Sequence, residues 1–384
     1  MRFEFATSDR IIFGPGTVAE VEALAVSMGS RVLVVTGSSD ARAEPVLSAL
    51  RKAGLVAVTF SIPEEPTLEL VREGVERAEA EDCDTVIGIG GGSVIDGGKA
   101  IAALMTNGGS PLDYLEVIGR GAPITMPAAP YIAVPTTAGT GAEVTRNAVL
   151  ASPEHQVKVS LRSPLIVPDV AIVDPLLTHS MPPEITASTG MDALSQLIEP
   201  YVSRMSNPLT DALCREGLIR AARSLQSAYD DGDHAVARLD MSLASLFGGL
   251  ALANAKLGAV HGLAGVLGGM TGAPHGAVCG RLLPPAAQVN VRALQDRDPE
   301  NPALTRYAEI AVLVTGSSDA TTEQGVSWLE ALCGALEIPG LAAYGLEEAQ
   351  FAEIIEKAQA SSSMKGNPIN LNDEELAEIL TQAL

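Results

Sequence analysis

Two histidines flank a glycine-rich turn in the apolar second half of the chain, where imidazole rings could bind a metal ion. His261 and His275 are fourteen residues apart, which along one straight helix would separate them by about 21 Å. The glycines and the proline at residues 268–274 predict a break in that helix, so two helices can bring both rings to one point. A buried imidazole without a partner is costly. The spacing therefore leaves two interpretations, a metal site or two structural histidines that hydrogen-bond to the backbone.

A carboxylate and a carboxamide share one face of a predicted helix. Asp192 and Gln196 lie four residues apart in MDALSQLIEPYVS, and residues at this spacing are neighbours on a helix surface. Carboxylates, carbonyl groups and imidazoles are all metal ligands in proteins. We therefore treat these two residues and the two histidines as the candidate metal-binding group, and Asp192 and the two histidines also as the candidate catalytic residues.

A glycine-rich loop follows the predicted strand at residues 85–89 and has the composition of a phosphate-binding loop. Its sequence is GGGSVIDGGK, residues 90–99. Glycines without a Cβ let backbone N–H groups approach a pyrophosphate, and the next helix presents its positive N-terminal end to the same anion. Ser93 adds a hydroxyl donor. The loop matches neither GxGxxG nor the Walker A sequence, so a tight turn without a ligand stays the alternative.

A second polar loop follows another predicted strand. Thr136, Thr137 and Thr140 lie among small residues directly after the strand at 131–135. In open α/β sheets, ligands bind outside the carboxyl ends of the strands, and both loops are predicted there. Two such loops in one chain favour a nucleotide cleft over a threonine-rich connection.

Strand and helix patterns alternate along the first half of the chain, which predicts a parallel sheet covered by helices. After residue 183 the pattern is mostly helical, and strand-like runs are scarce. We therefore expect an α/β domain over residues 1–182 and an all-helical domain over residues 183–384. The clear strands of the first domain are predicted at 31–36, 55–62, 84–89, 131–135 and 170–173.

The charge and the cysteines argue against several classes of protein. The formal net charge of −22 and the absence of a Lys/Arg cluster disfavour a polyanionic partner, so we expect neither nucleic acid nor an anionic membrane surface as a ligand. The apolar stretch at 246–270 is interpreted as a buried core helix, and no signal-peptide pattern is visible. The cysteines, which form no CxxC pair and are interpreted as reduced thiols of a cytoplasmic protein, are Cys83, Cys214, Cys279 and Cys333.

Taken together, the motifs resemble those of the iron-containing (group III) alcohol dehydrogenases, a family that includes lactaldehyde and maleylacetate reductases. The resemblance spans nearly the whole chain and implies a dehydroquinate synthase-like fold. That fold has an N-terminal Rossmann-like domain, a C-terminal all-helical domain and an active site in the cleft between them. The motifs are FGPG at 13–16, GGGSVIDGGK at 90–99, PTTAGTGAE at 135–143, GMDAL at 190–194, HGLAGVLGG and APHG within 261–276, and NPINLNDEELAEIL at 367–380.

The resemblance also assigns roles to residues. The positions that match the family's pyrophosphate loop are Gly90, Gly91, Gly92, Ser93 and Asp96. The positions that match its nucleotide-lining threonines and its ribose-binding lysine are Thr136, Thr137, Thr140 and Lys158. Three of the four metal-ligand positions match as Asp192, His261 and His275.

Two departures from the family pattern concern the metal and the proton. The fourth ligand position, usually His, is Gln196, and a neutral carboxamide oxygen is a weaker ligand than imidazole. The resemblance therefore implies Fe²⁺ or Zn²⁺ that is held weakly or not at all. A second family histidine, thought to relay a proton, is replaced by Gly265, so water or a ribose hydroxyl would take its place.

A third departure concerns the choice of cofactor. Family members that prefer NAD tend to carry an Asp directly after the strand at 31–36, where this chain has Gly37 followed by two serines. A carboxylate there bonds the ribose 2′-hydroxyl and repels a 2′-phosphate. Its absence favours NADP as the cofactor, whereas Asp40 nearby keeps NAD open.

The resemblance implies an NAD(P)-dependent oxidoreductase that interconverts an alcohol and an aldehyde or ketone. A divalent ion would act as Lewis acid on a small alcohol or aldehyde, and the nicotinamide would exchange hydride. A homodimer is expected. The alternatives are a metal-independent enzyme of the maleylacetate reductase type, a glycerol dehydrogenase or dehydroquinate synthase-like lyase, and a nucleotide-binding relative without catalysis.

Overall fold

The computed structural model describes residues 2–115, 117–155 and 157–384. These residues group into two compact units. The sheet unit consists of Ala6–Thr137 and Gly141–Thr178. The helical unit consists of residues 2–5, Ala138–Thr140 and His179–Leu384. The expected domain boundary between residues 182 and 183 stays a prediction.

A parallel sheet forms the centre of the sheet unit. In chain order, the strands and helices of this unit are β1 (Arg10–Phe13), α1 (Val21–Met28), β2 (Arg31–Thr36), α2 (Glu44–Lys52), β3 (Val56–Ser61), α3 (Leu68–Ala80), β4 (Thr85–Gly90), α4 (Gly92–Asn107), α5 (Pro111–Tyr114), β5 (Tyr131–Pro135), β6 (Asn147–Ser152), β7 (Val157–Arg162) and β8 (Val170–Val173). Among the described residues, the sheet has the order β1-β8-β5-β4-β2-β3, and all of its pairs are parallel. Strands β6 and β7 form a separate antiparallel hairpin.

The apolar runs of the central strands are buried on both faces of the sheet. In β2, Leu33 and Val35 pack into a core with α3 and α4, whereas Val32 and Val34 pack into a second core with α1 and α2. Successive side chains of a strand point to opposite faces, so a strand covered by helices on both sides must be apolar throughout. The sequence of β2 meets this requirement.

The structure confirms the predicted fold class and the five predicted strands, which correspond to β2, β3, β4, β5 and β8. The prediction missed β1, β6 and β7. Strand β1 has only four residues, so it contains no long apolar run, and none of the four is fully buried. The strands of the hairpin carry polar residues and lie outside the parallel sheet.

The helical unit contains no strand within residues 179–384, all of which are described. Its helices pack around one large apolar core. In chain order they are α6 (Pro183–Val202), α7 (Pro208–Asp230), α8 (Ala235–Ala255), α9 (Ala259–Thr271), α10 (His275–Arg297), α11 (Pro302–Thr315), α12 (Thr322–Ala335), α13 (Phe351–Ala360) and α14 (Asp373–Ala383).

The apolar stretch at 246–270 is buried as predicted, but it is not one helix. It contains the end of α8 and most of α9, which are separated at Lys256, a residue with a left-handed φ of 60°. Among the described residues, α8 has the length and mean hydropathy of a membrane span, but 67% of that window is buried inside the protein. This burial is typical of a core helix.

Candidate metal centre

Helix α6 presents three polar side chains to the interior of the helical unit. Asp192, Gln196 and Glu199 follow one another at spacings of four and three residues and therefore lie on one face of the helix. All three are buried, Asp192 with 2% of its surface exposed. Buried polar groups need partners, and α9 and α10 supply them.

The two histidines meet at Asp192. Helix α9 ends at Thr271 and is followed by Gly272, whose φ of 68° is left-handed and suits glycine, and α10 begins at His275. His261 Nε2 lies 3.2 Å from Asp192 Oδ1 and His275 Nε2 lies 3.9 Å from it. The predicted turn thus brings together the three residues that sequence analysis singled out. The side chain of His275 is 36% exposed, so solvent reaches the group from this side.

A cysteine completes the group, and sequence analysis missed it. Cys279 lies one turn after His275 on α10, and its Sγ is 3.5 Å from His275 Nε2 and 3.8 Å from His261 Nε2. Because Cys279 belongs to no CxxC pair, it was interpreted as an ordinary thiol. The signal available was its spacing of four residues from His275, which places both side chains on one helix face.

Close packing of α10 against α6 fixes these positions. A Cβ added at Gly276 would lie 2.2 Å from the carbonyl oxygen of Ser188, and one added at Gly280 would lie 2.8 Å from Met191 Cβ. Each of these glycines directly follows a residue of the group. Only a residue without a side chain permits this approach, which brings His275 and Cys279 to Asp192.

The distances between the donor atoms fit a tetrahedral metal ion. With bonds of about 2.0–2.3 Å, the donors of a tetrahedral site lie about 3.3–3.8 Å apart. Four of the donor pairs in this cluster lie 3.2, 3.5, 3.8 and 3.9 Å apart. All donor pairs of Asp192, His261, His275 and Cys279 lie within 4.8 Å of one another. The residues present therefore fit a divalent cation.

Gln196 lies on the same face of α6 as Asp192. Among the described residues, nothing donates a hydrogen bond to its buried Oε1, which lies against Gly248 of α8. Its amide instead hydrogen-bonds Asp192. The role of Gln196 as the fourth metal ligand stays a prediction.

Glu199, which sequence analysis also missed, orients His261. Its carboxylate accepts from His261 Nδ1 at 2.6 Å and from the backbone N–H of Val260 at 2.7 Å, at the start of α9. A carboxylate accepts hydrogen bonds only, so Nδ1 carries a proton, and Nε2 is the nitrogen that faces Asp192 and would bind a cation. Outer partners of this kind fix the tautomer of metal-binding histidines.

The electrostatics of the cluster favour positive charge at its centre. Burial opposes ionisation of Asp192, but the hydrogen bond from His261 and the charge of His275 hold its pKa below the usual value. Burial likewise opposes protonation of His261, but the interaction with Cys279 and hydrogen bonds to Asp192 and Glu199 raise its pKa well above the usual value. The interaction with Cys279 also raises the pKa of His275. A divalent cation can take the place of these protons.

The predicted phosphate-binding loop lies at the carboxyl end of β4. Gly90 ends this strand and pairs with Pro135 at the end of β5, so the glycine-rich and threonine-rich loops start side by side. Gly91 precedes α4, and Gly92 and Ser93 form its first turn. A Cβ at Gly91 would lie 3.3 Å from Thr137 Cγ2. The backbone N–H groups of this turn suit a pyrophosphate.

Two of the predicted cofactor residues contact other protein groups. The carboxylate of Asp96 accepts from the backbone N–H of Val149 at 3.0 Å and pairs with Lys99 at 2.8 Å. Lys158 pairs with Glu65 at 2.5 Å. These contacts give Asp96 a structural function inside the sheet unit. A cofactor contact for either residue stays a prediction.

The remaining predicted cofactor residues lie in the loops. Gly37 follows β2, and the nearby Asp40 accepts a hydrogen bond from Thr36 Oγ1 at 2.6 Å. Thr136 is buried and donates from its backbone N–H to Gly90. Thr140 belongs to the short segment Ala138–Thr140 that groups with the helical unit.

Comparison with known proteins identifies the family. Residues 8–175 match the family described as iron-containing alcohol dehydrogenase, and residues 186–384 match the C-terminal region of the Fe-containing alcohol dehydrogenase family. The chain belongs to the iron-containing alcohol dehydrogenases. This membership confirms the resemblance inferred from the motifs.

Relatives of this iron-containing alcohol dehydrogenase match it over nearly its whole length. It is 35% identical to 1,3-propanediol dehydrogenase of Citrobacter freundii, with 99% of this chain and 98% of the relative covered. It is 34% identical to NAD-dependent methanol dehydrogenase of Bacillus methanolicus, with 97% of each chain covered. The crystal structure of a 1,3-propanediol oxidoreductase superposes with a TM-score of 0.92 at 34% identity, covering 100% of both chains.

The iron-containing alcohol dehydrogenase described here is thus an oxidoreductase that interconverts alcohols with aldehydes or ketones, as predicted. Membership of this family implies a nicotinamide cofactor and a divalent metal. The preference for NADP, the homodimer, the cytoplasmic location and the roles of individual site residues stay predictions.

Proposed function

We propose that this protein reduces small aldehydes or ketones, and oxidises the corresponding alcohols, at a metal centre formed by Asp192, His261 and His275. The observation that carries the proposal is that the donor atoms of Asp192, His261, His275 and Cys279 lie within 4.8 Å of one another in the helical unit, with all but His275 buried. Their tetrahedral spacing favours a metal-assisted reaction over the metal-independent alternative. The substrate class follows from the relatives, which are named for 1,3-propanediol and methanol.

The residues of the centre have separate functions in this proposal. A bound cation supplies Lewis acidity toward the substrate oxygen, and the nicotinamide supplies or accepts the hydride. Asp192 contributes an ionised oxygen, since its pKa lies below the usual value. Glu199 keeps the proton of His261 on Nδ1 and leaves Nε2 free to bind the cation. Gly265 offers no side chain for proton relay, so a relay would need water or a hydroxyl group of the bound cofactor.

The cofactor is proposed to bind with its pyrophosphate at the start of α4, where the backbone N–H groups of Gly92 and Ser93 are directed out of the helix. We propose that NADP is accepted alongside NAD. Directly after β2, Gly37 places no carboxylate against a 2′-phosphate. Asp40, the nearest carboxylate in sequence, is held by Thr36. The enzyme is further proposed to act as a homodimer in the cytoplasm.

The variant His261→Ala tests the proposal. Removing this imidazole takes one donor from the cation and leaves the sheet unit intact, so turnover should be abolished while NAD and NADP still bind. Reduced-nicotinamide absorbance with a panel of alcohols and aldehydes measures turnover, and nucleotide titration of the same protein measures binding. The control is His234→Asn, which retains a side chain able to cap α8. Full activity of His261→Ala would show the centre to be misassigned.

A further inference from the structure

Gln196 and Cys279 are the two candidates for the fourth ligand of the metal centre. The first is the residue that the family resemblance implies, and the second has a donor atom within 4.8 Å of those of Asp192, His261 and His275. We propose that Cys279 binds the metal as a thiolate and that Gln196 positions Asp192 without binding the metal. This inference rests on the proposed function, because it concerns the same centre.

The geometry around the sulfur supports a ligand. Cys279 Sγ lies 3.5 Å from His275 Nε2 and 3.8 Å from His261 Nε2, close to the donor spacing of about 3.3–3.8 Å expected for tetrahedral zinc. The residue is fully buried. Because Gly276 and Gly280 have no side chain, α10 can pack closely against α6. This packing fixes the position of the sulfur.

The surroundings of Cys279 distinguish it from the other cysteines. Among the described residues, it alone of the cysteines belongs to a group of potential metal ligands. Cys214 is equally buried but lies outside the group, on α7. A thiol that faces two imidazoles and a carboxylate is placed for metal chemistry, whereas a buried thiol among apolar residues is inert.

The orientation of Gln196 argues against a carboxamide ligand. An ionised Asp192 only accepts hydrogen bonds, so the amide nitrogen of Gln196 must face it. The oxygen lies near Gly248 of α8, and no described residue donates to it. Gln196 therefore holds Asp192 in place, and the fourth donor comes from α10.

A thiolate ligand determines which metal the centre prefers. Asp192 and Cys279 together supply two negative charges, which balance a divalent cation. Thiolate is a soft ligand that suits zinc, whereas carboxylates and waters suit harder ions. We therefore expect the protein to bind zinc more tightly than ferrous iron, although its family is described by iron.

Cobalt spectroscopy of the full-length, chelator-treated protein tests the thiolate. Added Co²⁺ should produce visible d–d bands, which report a bound ion, and near-ultraviolet thiolate-to-cobalt absorption, which reports sulfur. Cys279→Ser should keep the visible bands and lose the near-ultraviolet absorption. Its zinc affinity should fall at least by the roughly 10–100-fold that loss of an outer partner costs. Cys214→Ser is the matched control and should retain both absorptions.

X-ray absorption of the zinc-loaded wild type tests the same claim without a variant. One sulfur at about 2.3 Å beside nitrogen or oxygen at about 2.0–2.1 Å is expected. A spectrum with nitrogen and oxygen alone, or thiolate absorption that survives in Cys279→Ser, would overturn the inference and leave the proposed function standing. A larger loss of zinc affinity in Gln196→Ala than in Cys279→Ser would overturn it as well. If the wild type binds neither Co²⁺ nor Zn²⁺, the proposed metal centre itself is wrong.

Discussion

Replacing Glu199 by glutamine should weaken metal binding although this residue touches no metal. The carboxylate accepts from His261 Nδ1 at 2.6 Å and from the backbone N–H of Val260 at 2.7 Å. A glutamine has one oxygen and one NH₂ group, so it can accept only on one side. Either His261 Nδ1 or the backbone N–H of Val260 then faces the NH₂ group instead of an acceptor. Each arrangement has its own energetic consequence.

The first cost falls on the histidine. If the NH₂ group faces Nδ1, His261 must carry its proton on Nε2, the atom that faces the centre, and a protonated nitrogen cannot bind a cation. The second cost falls on the helix. If the NH₂ group faces Val260, a buried N–H loses its acceptor, which costs about 1–3 kcal/mol. Loss of an outer-shell partner typically lowers metal affinity by about 10–100-fold, or about 1.4–2.7 kcal/mol.

The assay is zinc competition against a chromophoric chelator, with the Tm of the metal-free protein recorded beside it. The matched control is Asp240→Asn, which alters another buried carboxylate of the helical unit. Asp240 accepts from Arg220, Arg223 and Ser224, so its loss should lower Tm and leave zinc affinity unchanged. Wild-type zinc affinity in Glu199→Gln, or an equal loss of affinity in Asp240→Asn, would refute the role given to Glu199.

Two further predictions concern stability. Burial raises the pKa of Glu143 to about 7 from an ordinary value of 4.5. The free energy of unfolding should therefore fall by about 3 kcal/mol as the pH rises from about 4.5 to about 7, and it should stay level at higher pH. Glu143→Gln should remove this slope in urea unfolding at pH 5 and 8, and an unchanged slope would contradict it. Gly276→Ala should cost about 1–3 kcal/mol and weaken zinc binding, because its Cβ would meet Ser188. Gly334→Ala, whose Cβ has open space, should leave zinc affinity at the wild-type value.

The sequence predicted elements where a local pattern coincides with a structural requirement. Strands β2, β4 and β5 are apolar because helices cover both faces, and such runs are visible without coordinates. The glycines before Pro274 predicted the break between α9 and α10, because glycine and proline are typical of helix ends. Hairpin strands β6 and β7 carry a weaker alternation that no long apolar run supports, so they were missed.

The candidate site likewise contains residues that the sequence predicted and residues that it missed. Asp192, His261 and His275 were found from residue type, spacing and family resemblance, and the structure brings them together. Cys279 joins them only because α10 packs closely on α6, a contact between segments about ninety residues apart that no local spacing encodes. Glu199 could have been found, since it lies seven residues after Asp192 on the same face of α6.

The ligand atoms lie on three helices, α6, α9 and α10, and Asp192 and His261 are 69 residues apart. A cation held by all of them would act as a cross-link that the unfolded chain cannot retain. Free zinc at a hundredfold excess over its dissociation constant would then add about 2.7 kcal/mol to the free energy of unfolding. Chelators in a purification buffer would therefore lower the melting temperature of the preparation as well as its activity.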